Sequence, residues 1–402
     1  MKRLGMNKMT VVYSREDMPK DETKSMFLAG PVPRKEYELS WKKEALQILE
    51  EMGYNGVVYI PEDRAKVPYD DNNIKGEEMK RTFTLKAQLD WEYSCMCACD
   101  AIVFWIPREM RSDFEMVGLT TNVEFGRFLN SNKLFCGCPD EAPRMEYLKL
   151  ISKDKYEWHK TLKDTLKATV EYLGQGIYRE DTEVKIPMHI YKTKQFQNWY
   201  KQQLNVGNYL TDFNMEYEFV MPKAKQIFLE IFHPSVYIAK EDRVKDNEFV
   251  VARTDMSYIL AYCKKENLLD TEIVLCEEFR TPINNETEMV YELPGGSSLN
   301  PLDDMLLTAS KELEEETGLK LNKNRFKQLD MKQSAATLCS HKIALFTVEL
   351  SEEEINKVKN DNQVHGVIED TERIHLHVMT VKEAIDKVDW TNTGMILQGI
   401  KD

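Results

Sequence analysis

Three glutamates in the C-terminal half of the chain have a spacing that suits metal binding. Glu312, Glu315 and Glu316 lie three and four positions apart, so on a helix they share one face. Oxygen ligands concentrated in this way suit a hard divalent ion, Mg²⁺ or Mn²⁺. Gly295 and Gly296 precede them and would let the backbone come close to a ligand. The sequence therefore predicts a carboxylate-lined metal site beside a glycine loop.

The sequence also marks the bounds of the helix that would carry these glutamates. Asn300 is a good N-cap, Pro301 suits the first helical position, and Gly318 can adopt the left-handed conformation that ends a helix. A second face of the helix would be buried, and it comprises Leu306, Ala309, Leu313 and Thr317.

The run KELEEETGL, with Gly296 ahead of it, resembles the signature of the Nudix hydrolases. Lys311 stands where that family has Arg, and Asp303 stands where it has Glu. The resemblance implies an α/β/α sandwich with a mixed sheet and Mg²⁺-dependent hydrolysis of a diphosphate. It implies metal ligands at the Gly295 carbonyl, Glu312, Glu315 and Glu316, with Glu315 also catalytic and Gly296 beside the substrate.

The flanking segments resemble the ADP-ribose pyrophosphatase group of that family. The runs VLCEEFRTPI and YELPGG precede the helix, and this resemblance implies that Arg280 meets the diphosphate. A later run, EDTERI, is similar to an acidic loop of that group. It implies that Glu372 is a metal ligand and that Asp370 takes a proton from water.

In the N-terminal half, two glutamates stand near predicted strand ends. Four apolar runs, at 26–34, 56–61, 101–107 and 133–137, alternate with helical patterns. Runs that are continuously apolar predict a parallel sheet covered on both faces, of the flavodoxin-like or Rossmann-like type. Such sheets bind ligands at the carboxyl ends of their strands, and Glu92 and Glu124 are candidates for that edge.

The runs FLAGPVPR, CDAIVFWIP and GLTTNVEFGRFL, with Trp91 and Glu92 between the first two, resemble the nucleoside 2-deoxyribosyltransferase family, in particular its divergent branch. The resemblance implies that Glu124 attacks the anomeric carbon of a nucleoside and that Glu92 protonates or positions the leaving base. It implies substrate-binding roles for Gly30, Pro31, Arg34, Trp91 and Asn122. The family's Asp shortly before the nucleophile is missing here, with Asp113 or Glu115 as substitutes, and both hydrolysis and transfer remain open.

Changes in pattern divide the chain into three parts. Residues 1–174 form the transferase-like domain, 175–225 a linker and a leading segment, and 226–402 the Nudix-like domain. The role of residues 175–225 is not indicated by any motif.

Composition limits the partners. A net charge of −14 argues against general affinity for nucleic acid or anionic membranes. No apolar run approaches the length of a membrane span, and no secretory signal is visible, so we expect a cytoplasmic protein. The expected partner is a small nucleoside or nucleotide, and a homo-oligomer is left open.

Together these features predict a bifunctional enzyme of nucleotide or NAD metabolism. The C-terminal domain would hydrolyse a nucleoside diphosphate linked to another group, such as ADP-ribose, with Mg²⁺ or Mn²⁺. The N-terminal domain would cleave or transfer at an N-glycosidic bond through Glu124. The alternative is a nucleotide-sensing or regulatory protein whose N-terminal domain only binds its ligand. The sequence does not indicate which nucleotide is used.

Overall fold

The fold is mixed α/β, with a parallel sheet in the N-terminal part and a mixed sheet in the C-terminal part. The computed structural model describes residues 8–32, 40–64, 84–110, 115–221, 226–298, 304–366 and 371–401. Two compact units are present, of which the first comprises 1–218 with 232–248 and the second 219–231 with 249–402. The domain boundaries predicted at 174 and 225 stay predictions, since compact units need not fold or function independently.

The first unit contains seven helices and thirteen strands among the described residues, counting the parts of β11 and β12 that continue into the second unit. The helices are α1 (Trp41–Glu51), α2 (Leu85–Ala98), α3 (Leu119–Phe128), α4 (Glu146–Ser152), α5 (Leu162–Leu173), α6 (Met188–Tyr191) and α7 (Lys194–Asn205). The strands are β1 (Thr10–Tyr13), β2 (Asp21–Glu22), β3 (Ser25–Ala29), β4 (Val57–Ile60), β5 (Ala101–Trp105), β6 (Glu109–Met110), β7 (Glu115–Met116), β8 (Leu134–Gly137), β9 (Trp158–His159), β10 (Arg179–Glu180), β11 (Tyr209–Met221), β12 (Gln226–Ile238) and β13 (Arg243–Lys245).

Six of these strands form the parallel sheet, in the order β1-β4-β3-β5-β8-β9. Every residue of β3, β4 and β5 is buried. Alternate residues face two separate cores: Leu28 and Val103 pack with residues of α1 and α5, whereas Phe27 and Phe104 pack with residues of α2 and α3. This confirms the predicted parallel sheet with apolar cover on both faces.

The second unit is built on a mixed sheet of seven strands. The seven strands are β15 (Met256–Cys263), β16 (Glu272–Phe279), β17 (Met289–Glu292), β18 (Gly295–Gly296), β19 (Lys327–Gln333), β20 (Lys342–Glu349) and β21 (His375–Thr380). Strand β14 (Val250–Arg253) precedes them in the chain and lies outside this sheet. The helices are α8 (Met305–Thr317), α9 (Glu352–Lys359), α10 (Val381–Ala384) and α11 (Trp390–Lys401). Strands β15 and β20 pair in parallel, and β16 pairs antiparallel with β15, β17 and β21.

Apolar cores lie on both faces of the mixed sheet. Residues of α8 and α9, including Leu313 and Ile355, belong to one core, and residues of α10 and α11, including Val381 and Ile396, belong to the other. The predicted mixed sheet between helices is confirmed.

Helix α8 begins later than the sequence indicated. Its N-cap is Asp304, whose side chain accepts a hydrogen bond from Leu307 N at 2.6 Å, in place of the predicted N-cap Asn300. Asn300 and Pro301 themselves lie outside the described residues. A nearby carboxylate supplies the acceptor that the first turn needs. The end of the helix is confirmed, because Gly318 is left-handed with a φ of 67°.

The length and apolarity of the described helices bear on whether any of them could span a bilayer. None of them is both long enough and apolar enough to cross a membrane.

Candidate active site

In the first unit, two partly buried glutamates, Glu92 and Glu124, come from neighbouring helices, and the charge of Glu92 acts on Glu124. Glu92 lies on α2 and Glu124 on α3. Burial, followed by the negative charge of Glu92, raises the pKa of Glu124 to about 7, while Lys42 opposes the shift. Burial also raises the pKa of Glu92, against a hydrogen bond from Gln88 and the charge of Lys42. Glu124 can therefore exchange a proton near neutral pH.

A chain of hydrogen bonds orients the Glu92 carboxyl group. Gln88 lies one turn earlier on α2 and donates from Nε2 to Glu92 Oε1 at 2.6 Å. The Gln88 amide oxygen in turn accepts a hydrogen bond from the Ser14 hydroxyl group, just after β1. The first strand and α2 therefore jointly fix the direction of this carboxyl group, as a positioned proton donor requires.

The loop after β3 passes close to the carboxyl end of β5. Gly30 has a φ of 152°, and a Cβ atom there would overlap the carbonyl oxygen of Trp105, so only glycine fits this crossing. A Cβ added at Gly118, which precedes α3, would lie 3.1 Å from Pro31. The predicted residues Gly30 and Pro31 therefore lie where β3 and β5 end and α3 begins, which is the edge that binds ligands in parallel sheets.

Trp91 and Asn122 already have partners within the protein. The Trp91 indole donates to the backbone oxygen of Glu16 at 2.7 Å, and its ring lies 6.3 Å from the Phe27 ring. Asn122 Oδ1 accepts from Arg108 Nη2 at 2.6 Å. In this structure both side chains position the surroundings of the carboxyl pair, and their predicted contacts with substrate stay predictions.

Lys42 and Arg108 are site residues that the motif analysis missed. The Lys42 side chain is fully buried on α1, 2.9 Å from Glu62 Oε1. A signal was present, because Lys42 occupies the apolar stripe of α1 with Ala45 and Leu49, where a lysine is unexpected. Arg108 follows β5, is buried and donates a hydrogen bond to Asn122. Nothing in the sequence around Arg108 indicated this contact.

Three of the residues named for the two sites lie outside the described residues. They are Arg34 and Asp113 in the first unit and Asp370 in the second.

The second unit fixes Glu316 against the glycine loop. Glu316 Oε2 accepts from Gly295 N at 2.9 Å and from the Cys276 thiol at 3.6 Å. Burial, followed by the charge of Glu312, raises the pKa of Glu316 well above its ordinary value. The core face of α8 holds this carboxylate beside β18 because Leu313, three residues before it, is fully buried in the adjoining core.

Glu312 approaches the second glycine of the loop. A Cβ at Gly296 would lie 2.5 Å from Glu312 Oε1, so a side chain at this position would displace the Glu312 carboxyl group. Burial, then the charges of Glu315 and Glu372, raises the pKa of Glu312 to about 7. The charges of Glu315 and Glu372 therefore act on Glu312, and the charge of Glu312 acts on Glu316, whereas the role of these four residues as metal ligands stays a prediction.

Two arginines lie near these carboxylates. Arg280 follows β16 and donates to Glu292 Oε2 at 3.0 and 3.2 Å, and it also pairs with Glu278. Arg253, which sequence reasoning missed, ends β14 and donates to Ser297 Oγ at 2.9 Å. Burial lowers the pKa of Arg253, and the positive charge of Arg280 adds to this effect. A phosphate group would relieve the repulsion between the two cations.

The donor chemistry of the α8 site fits a divalent cation, although its spacing is not that of a closed metal site. Its side-chain ligands are all carboxylates, as Mg²⁺ prefers, and a cation would offset their repulsion. Within the described residues, one group of three side chains has ligand atoms all within 4.8 Å, and it comprises Cys263, Glu272 and Glu352. In that group the Lys265 ammonium lies 2.6 Å from Glu352 and 3.2 Å from Glu272. Lys265 therefore already supplies the positive charge that a metal ion would bring.

Comparison with known proteins gives a match in the first unit. Residues 23–142 match the family model described as "Nucleoside 2-deoxyribosyltransferase like". No curated protein matches the chain. The match contains β3 to β8, the Gly30 loop, Glu92 and Glu124. The N-terminal unit therefore contains a nucleoside 2-deoxyribosyltransferase-like domain, which supports a nucleoside-related glycosyl transfer function. The match does not reach the second unit, whose assignment as a Nudix domain stays a prediction.

Proposed function

We propose that the first unit cleaves the N-glycosidic bond of a nucleoside or nucleotide, with Glu124 as nucleophile and Glu92 as proton donor. The observation that carries this proposal is that the matched domain contains two partly buried glutamates, Glu92 and Glu124, and that the charge of Glu92 acts on Glu124. Two carboxyl groups, one ionised and one protonated, are what glycosidic cleavage through an oxocarbenium-like state requires. Burial of both groups favours a shared proton.

In the first step the Glu124 carboxylate attacks the anomeric carbon. The bond between that carbon and the base nitrogen breaks, and its electron pair stays on the nitrogen, which takes the proton of Glu92. The product is an ester between the sugar and Glu124, together with the free base.

In the second step an acceptor attacks the anomeric carbon of the glycosyl ester, and the electron pair of its bond to oxygen returns to the Glu124 carboxylate. The ionised Glu92 takes a proton from water or from the nitrogen of a second base, and the bond to Glu124 breaks. Water gives hydrolysis, whereas a second base gives transfer. The orientation of Glu92 by Gln88 serves both steps.

The proposal is tested with the full-length protein and a panel of deoxynucleosides, ribonucleosides, nucleotides, NAD and ADP-ribose. We expect free base to appear with at least one substrate, both with Mg²⁺ and with EDTA, because no metal takes part in the steps above. Chromatography of the products, with and without a second base, distinguishes hydrolysis from transfer. If a compound binds by calorimetry and no base is released from any of them, the first unit is a ligand-binding or sensing module instead.

We further propose that the second unit hydrolyses a nucleoside diphosphate linked to another group. This proposal is supported by the carboxylates held around Gly295 and Gly296 and by two arginines nearby. Glu312, Glu315 and Glu316 would hold Mg²⁺, which when bound neutralises phosphate charge and activates a water molecule. Arg280 would bind phosphate oxygens, while Glu372 or Asp370 would accept the proton of water. Substrates that contain a base, a ribose and a diphosphate would suit both units.

Glu316→Gln is expected to lower metal-dependent diphosphate cleavage by roughly 10²-fold or more. Glutamine keeps the shape and can still accept from Gly295 N, but it removes the negative charge that would hold the cation. The measurement is AMP released from ADP-ribose at several Mg²⁺ concentrations. Glu314→Gln is the matched control, because Glu314 lies on the same helix and pairs with Lys320 at the surface. Equal rates for both variants would show that Glu316 is only structural.

A further inference from the structure

The second unit contains a cavity of about 360 Å³ between α11 and strands β19 and β20. The apolar part of its lining comprises Ile343, Leu345 and Met395, which belong to the core of α10 and α11. Helix α8 packs with the other core, through residues such as Leu313. The cavity is therefore separate from the α8 carboxylates, and its volume lies within the range of small-molecule sites, about 300–1,000 Å³.

Trp390 lines this cavity at the start of α11 and is 91% exposed. A large aromatic side chain with so little cover is unusual on a protein surface. The start of the helix is held firmly, because Asn392 Oδ1 accepts from Leu293 N at 3.0 Å and Asn392 N donates to Asp389 Oδ1 at 2.7 Å. The fold thus presents a flat indole ring on a fixed element, which suits stacking with another planar ring.

Gly394 leaves open space beside this ring. It lines the cavity one turn after Trp390, and a Cβ atom built there would meet no atom within 4 Å among the described residues. Glycine is less favourable than alanine inside a helix, so packing gives no reason for it here. At Gly399 on the same helix, by contrast, a Cβ would lie 2.5 Å from Leu260 Cδ2. The space at Gly394 is therefore available to a bound molecule.

Two opposite charges line the cavity on the side of β19. Asp330 and Lys332 are two residues apart, so they point to the same side of the strand. A β-bulge lies between Gln328 and Met331, and such bulges often redirect a side chain. Both charged side chains are exposed, and neither has an ion pair or hydrogen bond within the part of the chain that the structure describes. A ligand can therefore donate to the carboxylate and accept from the ammonium group.

We propose that this cavity binds the base of a purine nucleoside or nucleotide, stacked on Trp390 over the space at Gly394. A purine has flat apolar faces for the indole and the aliphatic lining, and its edge carries both N–H donors and nitrogen acceptors for Asp330 and Lys332. Its two fused rings also match the indole in area. This inference goes beyond the proposed reactions, because it uses none of the residues assigned to them.

The position of Trp390 allows a direct test with the full-length protein. The chain has six tryptophans, and Trp390 is the one that lies in the second unit. The protein is labelled with ¹⁵N at tryptophan, and the Trp390 indole signal is assigned by its loss in Trp390→Leu. Adenine, adenosine and AMP are then titrated in EDTA, which removes divalent metal. We expect the Trp390 signal to shift and saturate with at least one of them, with a matching affinity by calorimetry.

Two substitutions separate stacking from space. Trp390→Leu should weaken binding roughly tenfold or more, because it removes the stacking surface. Gly394→Leu should abolish binding, because its side chain enters the cavity. The unfolding temperature of this variant should not fall, since leucine favours the helix and meets open space. Leu397→Ala is the matched control: Leu397 is half exposed on the same helix but does not line the cavity, so affinity should be retained.

The same measurements can overturn the inference. If none of the three compounds moves the Trp390 signal, the cavity is not a purine site. If a compound binds by calorimetry with equal affinity in Gly394→Leu and leaves the Trp390 signal unmoved, it occupies another part of the protein and the inference is likewise wrong. A stronger affinity for AMP than for adenosine that disappears in Lys332→Met would support the inference and locate the phosphate beside Lys332.

Discussion

Glu124→Gln is expected to lower base release by roughly 10³-fold or more in kcat/KM. The amide has nearly the same shape as the carboxyl group, but it carries no negative charge and cannot form the glycosyl ester. Glu124 lies on helix α3 with its neighbour Phe125, and Phe125 is buried in the core whereas Glu124 is only partly buried. The substitution of Glu124 should therefore not disturb the core. The measurement is initial-rate release of the base from the best substrate of the panel, with thermal unfolding as a check of folding.

Glu171→Gln provides the control for this result. Glu171 lies on α5 in the same unit, is exposed and pairs only loosely with Lys167, at 3.9 Å. It should retain the full rate. Metal-dependent diphosphate cleavage should survive Glu124→Gln, because that reaction is assigned to the second unit. A Glu124→Gln protein that releases base at the original rate would exclude the nucleophilic role of Glu124 and leave the domain with another mechanism.

Arg179→Met is expected to lower the free energy of unfolding of the first unit by about 3–5 kcal/mol, because it leaves the buried Asp100 carboxylate without its cation. Arg179 is fully buried and donates to both carboxylate oxygens of Asp100, at 2.8 and 2.6 Å. It also donates to Glu22 at 2.9 Å and to the backbone oxygen of Ile186 at 2.5 Å. The change is measured by denaturant-induced unfolding of the full-length protein, from the transition that corresponds to the first unit.

Arg243→Met is the matched control for this stability measurement. Arg243 pairs with Glu241 in an ion pair in which both side chains are about half exposed, and such pairs contribute little, roughly 0–1 kcal/mol. A similar loss in both variants would contradict the importance of the buried network.

The pH dependence of the Arg179 variant gives an independent check. Burial raises the pKa of Glu22 from 4.5 to about 8, while Arg179 lowers it. The folded state therefore holds a proton that the unfolded state loses between these values, so stability from this group falls as the pH rises through that window. Without Arg179 the folded-state pKa rises further, and this fall continues to higher pH. The loss of unfolding free energy caused by Arg179→Met should therefore be larger at pH 9 than at pH 7.

Local patterns were sufficient to predict the central sheet of the first unit. The runs that become β3, β4, β5 and β8 are continuously apolar because both faces of each strand are covered. The outer strands β1 and β9 were not predicted. Strand β9 has only two residues, Trp158 and His159, and pairing with β8 rather than its own pattern defines it.

For the segment after α5, by contrast, the local sequence pattern did not reveal how its residues pack. Glycines, a proline and mixed charges between 174 and 187 predicted a linker, yet Arg179 in this segment is fully buried. Composition did not reveal this, because a buried arginine depends on partners far away in sequence. Its partners Glu22 and Asp100 precede it by 157 and 79 residues.

The two candidate sites also differ in what the sequence could specify. Glu312, Glu315 and Glu316 lie within one helix, so their common face follows from helical spacing alone. The left-handed Gly318 that ends this helix was equally visible. The glutamates of the first unit belong to different helices, and their proximity depends on how α2 and α3 pack on the sheet.

The sequence by itself determined the apolar strands, the glycines at positions 30 and 296 that allow close approach, and the carboxylate face of α8. These features depend on local spacing and backbone sterics. Only the tertiary structure decided that the charge of Glu92 acts on Glu124, that Lys42 is buried beside Glu62, and that Arg179 binds Glu22 and Asp100. The physical reason is that burial and the charges of distant residues set the protonation of a carboxyl group, and neither is encoded in its sequence neighbours.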